Sequence, residues 1–486
     1  MNLDLFIPEI TLAVFAVLVI LLDLVISQKT LLRSVSLAGL VIAGGVTIVM
    51  WGDDYPAIFN NMLAVDNYAL FFKVLFAGIA FLVILASADY VSKFERFQGE
   101  YYALILLSTL GMMLMAATAD LISLYIALEL TSISLYILVG FLKNRKSTEA
   151  SLKYLLLGAV ASAILLYGMA LVFGYTGETQ LGAIAGAIQS MWPASILDSP
   201  ALLMGIVLIV AGFSFKIAAV PFQMWVPDVY EGAPTTVTAY LSVASKAAGF
   251  AIILRIFYSA FGLPEWLSSN WGMIFAVLAV LSMIIGNVVA IPQSNIKRML
   301  GYSSIAQAGY LMVGLATIGM AKASDTVGQS TIMFFLSSYA LTNLGAFIAI
   351  IAISNKIGSD EISDFAGMFK RAPLLALALT LCLISLIGMP PAAGFMAKFY
   401  LFSAAAQNDL LWLVVIAAIN SVISAYYYLR VVKVMWFGEP ASEEKVPSSG
   451  APRLALVLCC AGVLLLGIIP GLLMKLAEAA SKLFTF

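Results

Sequence analysis

The sequence predicts an all-α polytopic membrane protein of about fourteen transmembrane helices, with two inverted five-helix repeats and two discontinuous helices. Three observations lead there. Hydrophobic residues make up 63% of the 486 and charged residues only 10%, against about 25% charged in soluble globular chains. Mean hydropathy is +1.04. Apolar runs of roughly 20 residues, the length that crosses a hydrocarbon core about 30 Å thick, recur along the whole chain, and basic residues segregate between alternate loops.

In chain order the first seven spans are Ile7–Ile26, Ser34–Trp51, Tyr68–Ala88, Tyr101–Thr118, Ile122–Leu142, Leu152–Gly174 and Ala201–Trp225. The second seven are Thr235–Tyr258, Trp271–Ile291, Ser303–Gly319, Thr331–Ile353, Leu374–Ala404, Leu410–Val432 and Leu454–Leu473. The N-terminus carries Asp4 and Glu9 rather than a basic segment, so the first run reads as a span and not a cleaved signal. Sixteen Lys and Arg residues, from Lys29 through Arg96 to Arg453, fall in loops of one side. Lys322, Lys475 and Lys482 fall on the other. By the positive-inside rule the first side is cytoplasmic and both termini are outside, in a cell membrane. The largest outer loop, 177–200, has room for a short surface helix at Leu181–Met191. The inner loop Phe437–Pro452, rich in Pro, Ser and Gly, reads as a flexible linker.

Composition also excludes chemistry. Without a single histidine, no imidazole-based catalysis and no His-ligated haem, zinc or copper is available. Cys382, Cys459 and Cys460 lack metal-site spacing, and no phosphate-binding glycine motif is present. The net charge of −1 gives no reason to expect a nucleic-acid partner.

The informative residues are charges placed where charge is expensive, about 2.5–3.5 kcal/mol each at a helix centre. Lys73 and Arg255 lie near span ends, and snorkelling to the headgroups accounts for them. Lys153 sits near the inner edge of its span. Lys216, Lys246 and Lys398 lie deeper, and Glu129 is the acidic residue well inside a span, among hydroxyl residues. Several intramembrane ionisable groups together mark an ion path more often than a structural pair.

Two spans carry breaks. Pro221 and Pro227 flank PFQMWVPDVYEGAP, and Gly388, Pro390, Pro391 and Gly394 interrupt ISLIGMPPAAGFMAKFY. Proline removes a backbone donor and clashes with the preceding turn. Freed backbone at membrane depth is tolerated only against protein or a hydrated cavity. Lys216 precedes its break and Lys398 follows its own, five spans later. This is the arrangement of an inverted repeat, with spans four to eight (101–258) repeated by spans nine to thirteen (271–432) after N-terminal helices within 1–118 and before a last helix at 454–486. Broken helices at matching positions of such halves point to a transport site.

These segments, with SLYIALELTSISLYILVGF, KSTEASLKYLLLGAVASAILLYGMALVFGYTG, TTVTAYLSVASKAA and SNIKRMLGYSSIAQAGY, resemble the antiporter-like subunits of respiratory complex I. The resemblance is strongest to the subunit N family, equivalent to mitochondrial NADH dehydrogenase subunit 2, and extends over nearly the whole chain. It implies proton translocation in NADH–quinone oxidoreductase, a translocase whose electron transfer takes place in other subunits. It implies no cofactor in this chain, with FMN, iron–sulfur clusters and quinone held by partner subunits. The partners it implies are the other membrane-arm subunits (antiporter-like subunit M and small subunits such as K and J) within the lipid bilayer.

Carried over residue by residue, the resemblance makes Glu129 the fifth-helix glutamate and Lys216 the lysine of the broken seventh helix. Lys246 becomes the eighth-helix lysine linking two half-channels, Lys398 the twelfth-helix residue near the exit, and Lys153 a sixth-helix lysine. Relatives often carry histidine where this chain has Gln223 and Gln307. Glutamine orders water but does not exchange a proton near neutral pH, so a relay here must run through lysines, Glu129, waters and hydroxyls such as Thr238, Ser242 and Ser245. Two alternatives share the fold: a subunit of a multi-subunit cation/proton antiporter, and a complex-I-like enzyme with another electron donor. A passive membrane scaffold is the reading from a different class, and it would leave Lys246 and Glu129 replaceable.

Overall fold

The computed structural model describes residues 3–26, 29–53, 55–94, 97–190, 199–262, 265–320, 327–440, 442, 444–446 and 449–481. Among them there are helices and no strands. The first half contains α1 (Ile7–Val25), α2 (Thr30–Val49), α3 (Asn67–Ala86), α4 (Gln98–Ala117), α5 (Leu121–Val139), α6 (Arg145–Thr176), α7 (Leu181–Ser190), α8 (Pro200–Ile217), α9 (Trp225–Gly232), α10 (Thr235–Tyr240) and α11 (Lys246–Ser259). The second contains α12 (Glu265–Ala290), α13 (Ile296–Met320), α14 (Val327–Ile357), α15 (Met368–Arg371), α16 (Pro373–Ile387), α17 (Ala393–Gln407), α18 (Leu411–Phe437), α19 (Gly450–Ile468) and α20 (Gly471–Ser481).

Among the described residues, thirteen helical stretches are long and apolar enough to cross a membrane. A fourteenth crossing is split between α16 and α17, each of 15 residues, about 22 Å at 1.5 Å per residue and too short to span alone. The expected surface helix is α7. Of the residues assigned to loops from sequence, Arg96, Lys322, Lys482 and Met191 lie outside the described residues, as do parts of the expected linker 437–452.

Burial follows position in the bundle. The crossing formed by α10 and α11 is wholly enclosed, and α13 and α14 nearly so, whereas α1, α2, α6, α18 and α19 turn most of their surface outward. Val14, Leu152, Val422 and Val457 are exposed on these outer helices, as apolar residues of a membrane bundle can be. The enclosed helices can carry polar side chains because neighbouring helices supply partners.

Both breaks use the same backbone device. α8 ends on Ala218 at φ 63°, ψ 40° and α16 on Gly388 at φ 89°, ψ 42°. A left-handed residue there ends the helix and turns the chain, as at many helix C-termini. The enclosed crossing has its own irregularity, a π-helical turn at Leu241–Ser245 immediately before Lys246. Such turns shift the side chains that follow and often lie at functional positions.

The snorkelling expected of Lys73 and Arg255 is overturned. Lys73 is 1% exposed and pairs with Glu9 at 2.7 Å, while Arg255, also 1% exposed, donates from both terminal nitrogens to Asp66 at 2.8 Å. Each charge is neutralised by a carboxylate from another part of the chain, so neither side chain has to reach the headgroups.

Candidate functional site

Glu129 and Ser132 lie three residues apart on α5 and so share a face. Ser162 of α6 donates to Glu129 Oε1 at 2.6 Å, and Lys216, near the end of α8, donates to Ser132 Oγ at 2.9 Å. Ser132, Ser162, Tyr136, Tyr154 and Lys216, with apolar residues such as Leu165 and Phe215, line a void of about 10 Å³, room for about one water. Glu129 itself is half-buried, whereas Lys216 is 5% exposed. Among the described residues no carboxylate lies within salt-bridge distance of Lys216.

The end of α8 that carries Lys216 packs against a glycine of α11. A Cβ placed on Gly249, one turn after Lys246, would lie 2.7 Å from Ile217 Cγ2 and 3.5 Å from Lys216 Cγ. The missing side chain lets the end of α8 close on α11. Ser214, two residues before Lys216, is buried with a hydroxyl that finds no partner among the described residues, a place where water is expected.

Lys246, 2% exposed, donates to the main-chain carbonyl of Ser304 on α13. The Ser304 hydroxyl lies 3.0 Å from Tyr230 OH of α9. One turn along α13, Gln307 Nε2 donates to the Leu386 carbonyl at 3.2 Å. Lys398, on α17 and 5% exposed, donates to the same carbonyl at 3.2 Å, to Ile387 O at 2.9 Å and to Ser421 Oγ at 2.9 Å. These carbonyls are among those left open where α16 stops, and an ammonium there also meets the negative end of the helix dipole. Tyr310 places its ring 4.3 Å from the Lys398 nitrogen. Beyond it, Asn287 joins Tyr427, Tyr310 and Asn420.

Four of the five residues singled out from sequence thus fall along one line of buried polar groups. Lys153 does not. It is 44% exposed and bonded to Asp228 at 2.7 Å and Glu149 at 2.9 Å, in a charge network completed by Arg298, Glu231 and Lys146. Asp228 lies outside the spans. Its burial would push the carboxyl up, but hydrogen bonds from Lys153 and Arg298 outweigh that and hold it below its ordinary value. Of the hydroxyls named from sequence, Ser242 accepts from Asn343 at 2.7 Å and Thr238 donates to Tyr230 O at 3.0 Å. Sequence reasoning missed the Ser304 and Leu386 carbonyls and the Asn287 cluster, since a backbone carbonyl carries no residue signature.

Comparison with known proteins shows the family. A family profile described as "NADH:quinone oxidoreductase/Mrp antiporter, TM" matches residues 116–424. NADH-quinone oxidoreductase subunit N of Dehalococcoides mccartyi is 51% identical, with 99% of each chain covered. A chain of respiratory complex I from Thermus thermophilus superposes with a TM-score of 0.80 at 33% identity, covering 96% of this chain and 98% of its own. A chain of the membrane-bound sulfane sulfur reductase, an archaeal respiratory membrane complex, gives 0.87 at 27% identity, covering 99% and 97%.

Proposed function

The chain belongs to the NADH-quinone oxidoreductase subunit N family, and from that premise we propose that it moves protons across the membrane through its line of buried lysines while other subunits transfer electrons. The observation that carries this reading is the polar line itself: Glu129–Ser162, Lys216–Ser132, Lys246–Ser304 and Gln307–Leu386–Lys398. Lysines without a carboxylate partner in an apolar bundle are expensive, and such residues mark ion paths. Ammonium groups suit protons and not Na⁺, which needs oxygen ligands.

The mechanism follows from charge coupling. A carboxylate near a buried ammonium stabilises its charge, and separation favours release of the proton. The distance between Glu129 and Lys216 is the adjustable quantity: brought close, the carboxylate holds the ammonium charged, and moved away, it lets the proton go. A signal from the redox arm that changes this distance would send a proton from Lys216 toward Lys246. From Lys246 it would pass along Ser304 and water to Lys398 as the exit-side group. Lys153, at the surface, would tune the field near the inner ends of α6 and α9.

In this reading the face bearing the termini is outside the cell membrane. The repeats 101–258 and 271–432 are inverted copies, supported by the left-handed caps Ala218 and Gly388 at their breaks. The neighbours are subunit M and small subunits such as K and J, and FMN, iron–sulfur clusters and quinone sit in partner subunits. A second reading, a complex using another electron donor, draws on the sulfane sulfur reductase likeness.

Gentle purification of the tagged chain, with mass spectrometry of its partners and an NADH-oxidation assay, tests this. Flavin and iron–sulfur partners with NADH activity are expected. Redox partners without that activity would support the second reading. Recovery with small membrane subunits alone would favour an antiporter and overturn the redox coupling.

A further inference from the structure

Between α3, α14 and α19 lies an apolar cavity of about 740 Å³, within the size range of small-molecule sites. Gly78 and Leu82 of α3, Leu341 and Leu344 of α14, and Leu465 of α19 form much of its wall. The hydroxyl of Ser337, also in the α14 wall, is already satisfied, donating to Met333 O at 3.0 Å. Gly78 keeps the α3 side open: a Cβ there would meet nothing within 4 Å.

Trp51, just past the end of α2, and Leu473 and Leu476 of α20 line the end of the cavity nearer the termini. α20 is 11 residues long and follows the last span. It exposes Leu472 and Leu476 together with Lys475 and Glu478. Apolar and charged residues exposed side by side on a short helix suit the membrane interface, where Trp is also favoured. The cavity therefore runs from the interface on the termini face toward the middle of the bundle.

Size and chemistry decide what fills it. Water is disfavoured, since apolar cavities stay dry. Left empty, a void this large would outweigh the net stability of a typical domain at the cost per volume measured for apolar cavities. A helix of another subunit is too bulky: at about 10–12 Å across it takes roughly 500 Å³ per turn, so the space holds about one and a half turns, well short of a membrane crossing. A flexible hydrocarbon chain entering from the bilayer fits both the shape and the apolar wall. At the rim, Lys475 and Glu478 lie three residues apart and share a face of α20, offering one charge of each sign to a headgroup that also carries both.

We propose that this cavity binds an acyl chain of a zwitterionic glycerophospholipid from the leaflet on the termini face, with the lipid phosphate at Lys475 and its amine at Glu478. The bound chain fills the space between the N-terminal helices and the last span, and so holds α3 against α14 and α19.

The test uses the intact complex in bilayers containing phosphatidylethanolamine with a photoreactive diazirine at the end of one acyl chain, followed by mass spectrometry of the labelled peptides. Label is expected on α14 at Leu341 and Leu344, inside the bundle, as well as on the outward-facing α18. Gly78→Phe places a ring in the open space and should abolish the α14 label while leaving that on α18. Lys475→Glu, which reverses the charge offered to the phosphate, should lower the α14 label relative to α18. Complex stripped of lipid should regain its thermal midpoint when phosphatidylethanolamine is added, and the Gly78→Phe complex should respond less. Label confined to outward-facing helices in the wild type, which is contact with bulk bilayer only, would overturn the proposal. So would an undiminished α14 label in Gly78→Phe with the full subunit set present. If Gly78→Phe does not assemble, the wild-type labelling pattern decides by itself.

Discussion

Gln307 and Lys398 donate to one acceptor, the carbonyl oxygen of Leu386, each at 3.2 Å. A carbonyl has two lone pairs and accommodates both donors. The break after α16 frees that carbonyl from its helix, so the interruption in the backbone creates the meeting point. A neutral amide from α13 and a cation from α17 are thereby tied together without any titratable group between them. The relay at this position depends on hydrogen bonding and water, and Lys398 is the group there that carries charge.

Replacing Gln307 with leucine should leave Leu386 O to Lys398 alone and lose one buried hydrogen bond, costing about 0.5–1.5 kcal/mol. The expected result is a modest fall in the thermal midpoint of the purified complex with a larger fall in pumping. Gln307→His should assemble and give pumping a new dependence on pH near neutrality, because imidazole titrates there. Pumping measured across pH in proteoliposomes checks both.

Gly249→Ala should separate α8 from α11, since the added Cβ would lie 2.7 Å from Ile217 Cγ2. Overpacking of this kind costs about 1–3 kcal/mol. Because the contact joins the helix end that carries Lys216 to the helix that begins at Lys246, the ratio of protons to NADH should fall further than NADH oxidation itself.

Ala218 occupies a left-handed conformation that costs a non-glycine residue roughly 1–2 kcal/mol. Ala218→Gly should therefore raise stability, by less than that amount because glycine gains freedom when unfolded. Thermal unfolding of the complex reads the difference.

Asp66 provides the pH test. Its burial would raise the carboxyl, but Arg255 beside it outweighs that and holds it below the ordinary 3.8. A depressed carboxyl contributes stability that is full above its ordinary value and lost as pH falls through its folded value. Asp66→Asn should destabilise the protein at neutral pH, because it removes the carboxylate paired with the buried Arg255. It should also remove part of the further loss seen below the ordinary value. Unfolding midpoints along an acid series check this.

How far the fold was legible depends on which interactions are local. Span lengths and both breaks were readable because apolar runs, prolines and glycines act on their own stretch of chain. Lys216, Lys246 and Lys398 stood out because a lysine in an apolar helix is anomalous without knowledge of its neighbours. The partners of Lys73 and Arg255 were not readable. Glu9 is on α1, and Asp66 is 189 residues from Arg255 in sequence, so position within a span suggested the headgroups when another helix held the answer. Lys153 presented the reverse problem: near the inner edge of its span, it was joined to the deep lysines by the resemblance, whereas the structure ties it to Asp228 and Glu149 in a charge network apart from them. The π-turn before Lys246 had no signal in residue type.

The central claim is that Lys246 carries the proton between the two halves of the polar line. The measurement that tests it most directly is proton translocation per NADH oxidised by the intact complex with Lys246→Ala, with assembly verified by its subunit composition. The account expects that ratio to fall while the full set of subunits still co-purifies. An unchanged ratio in the assembled variant would contradict it.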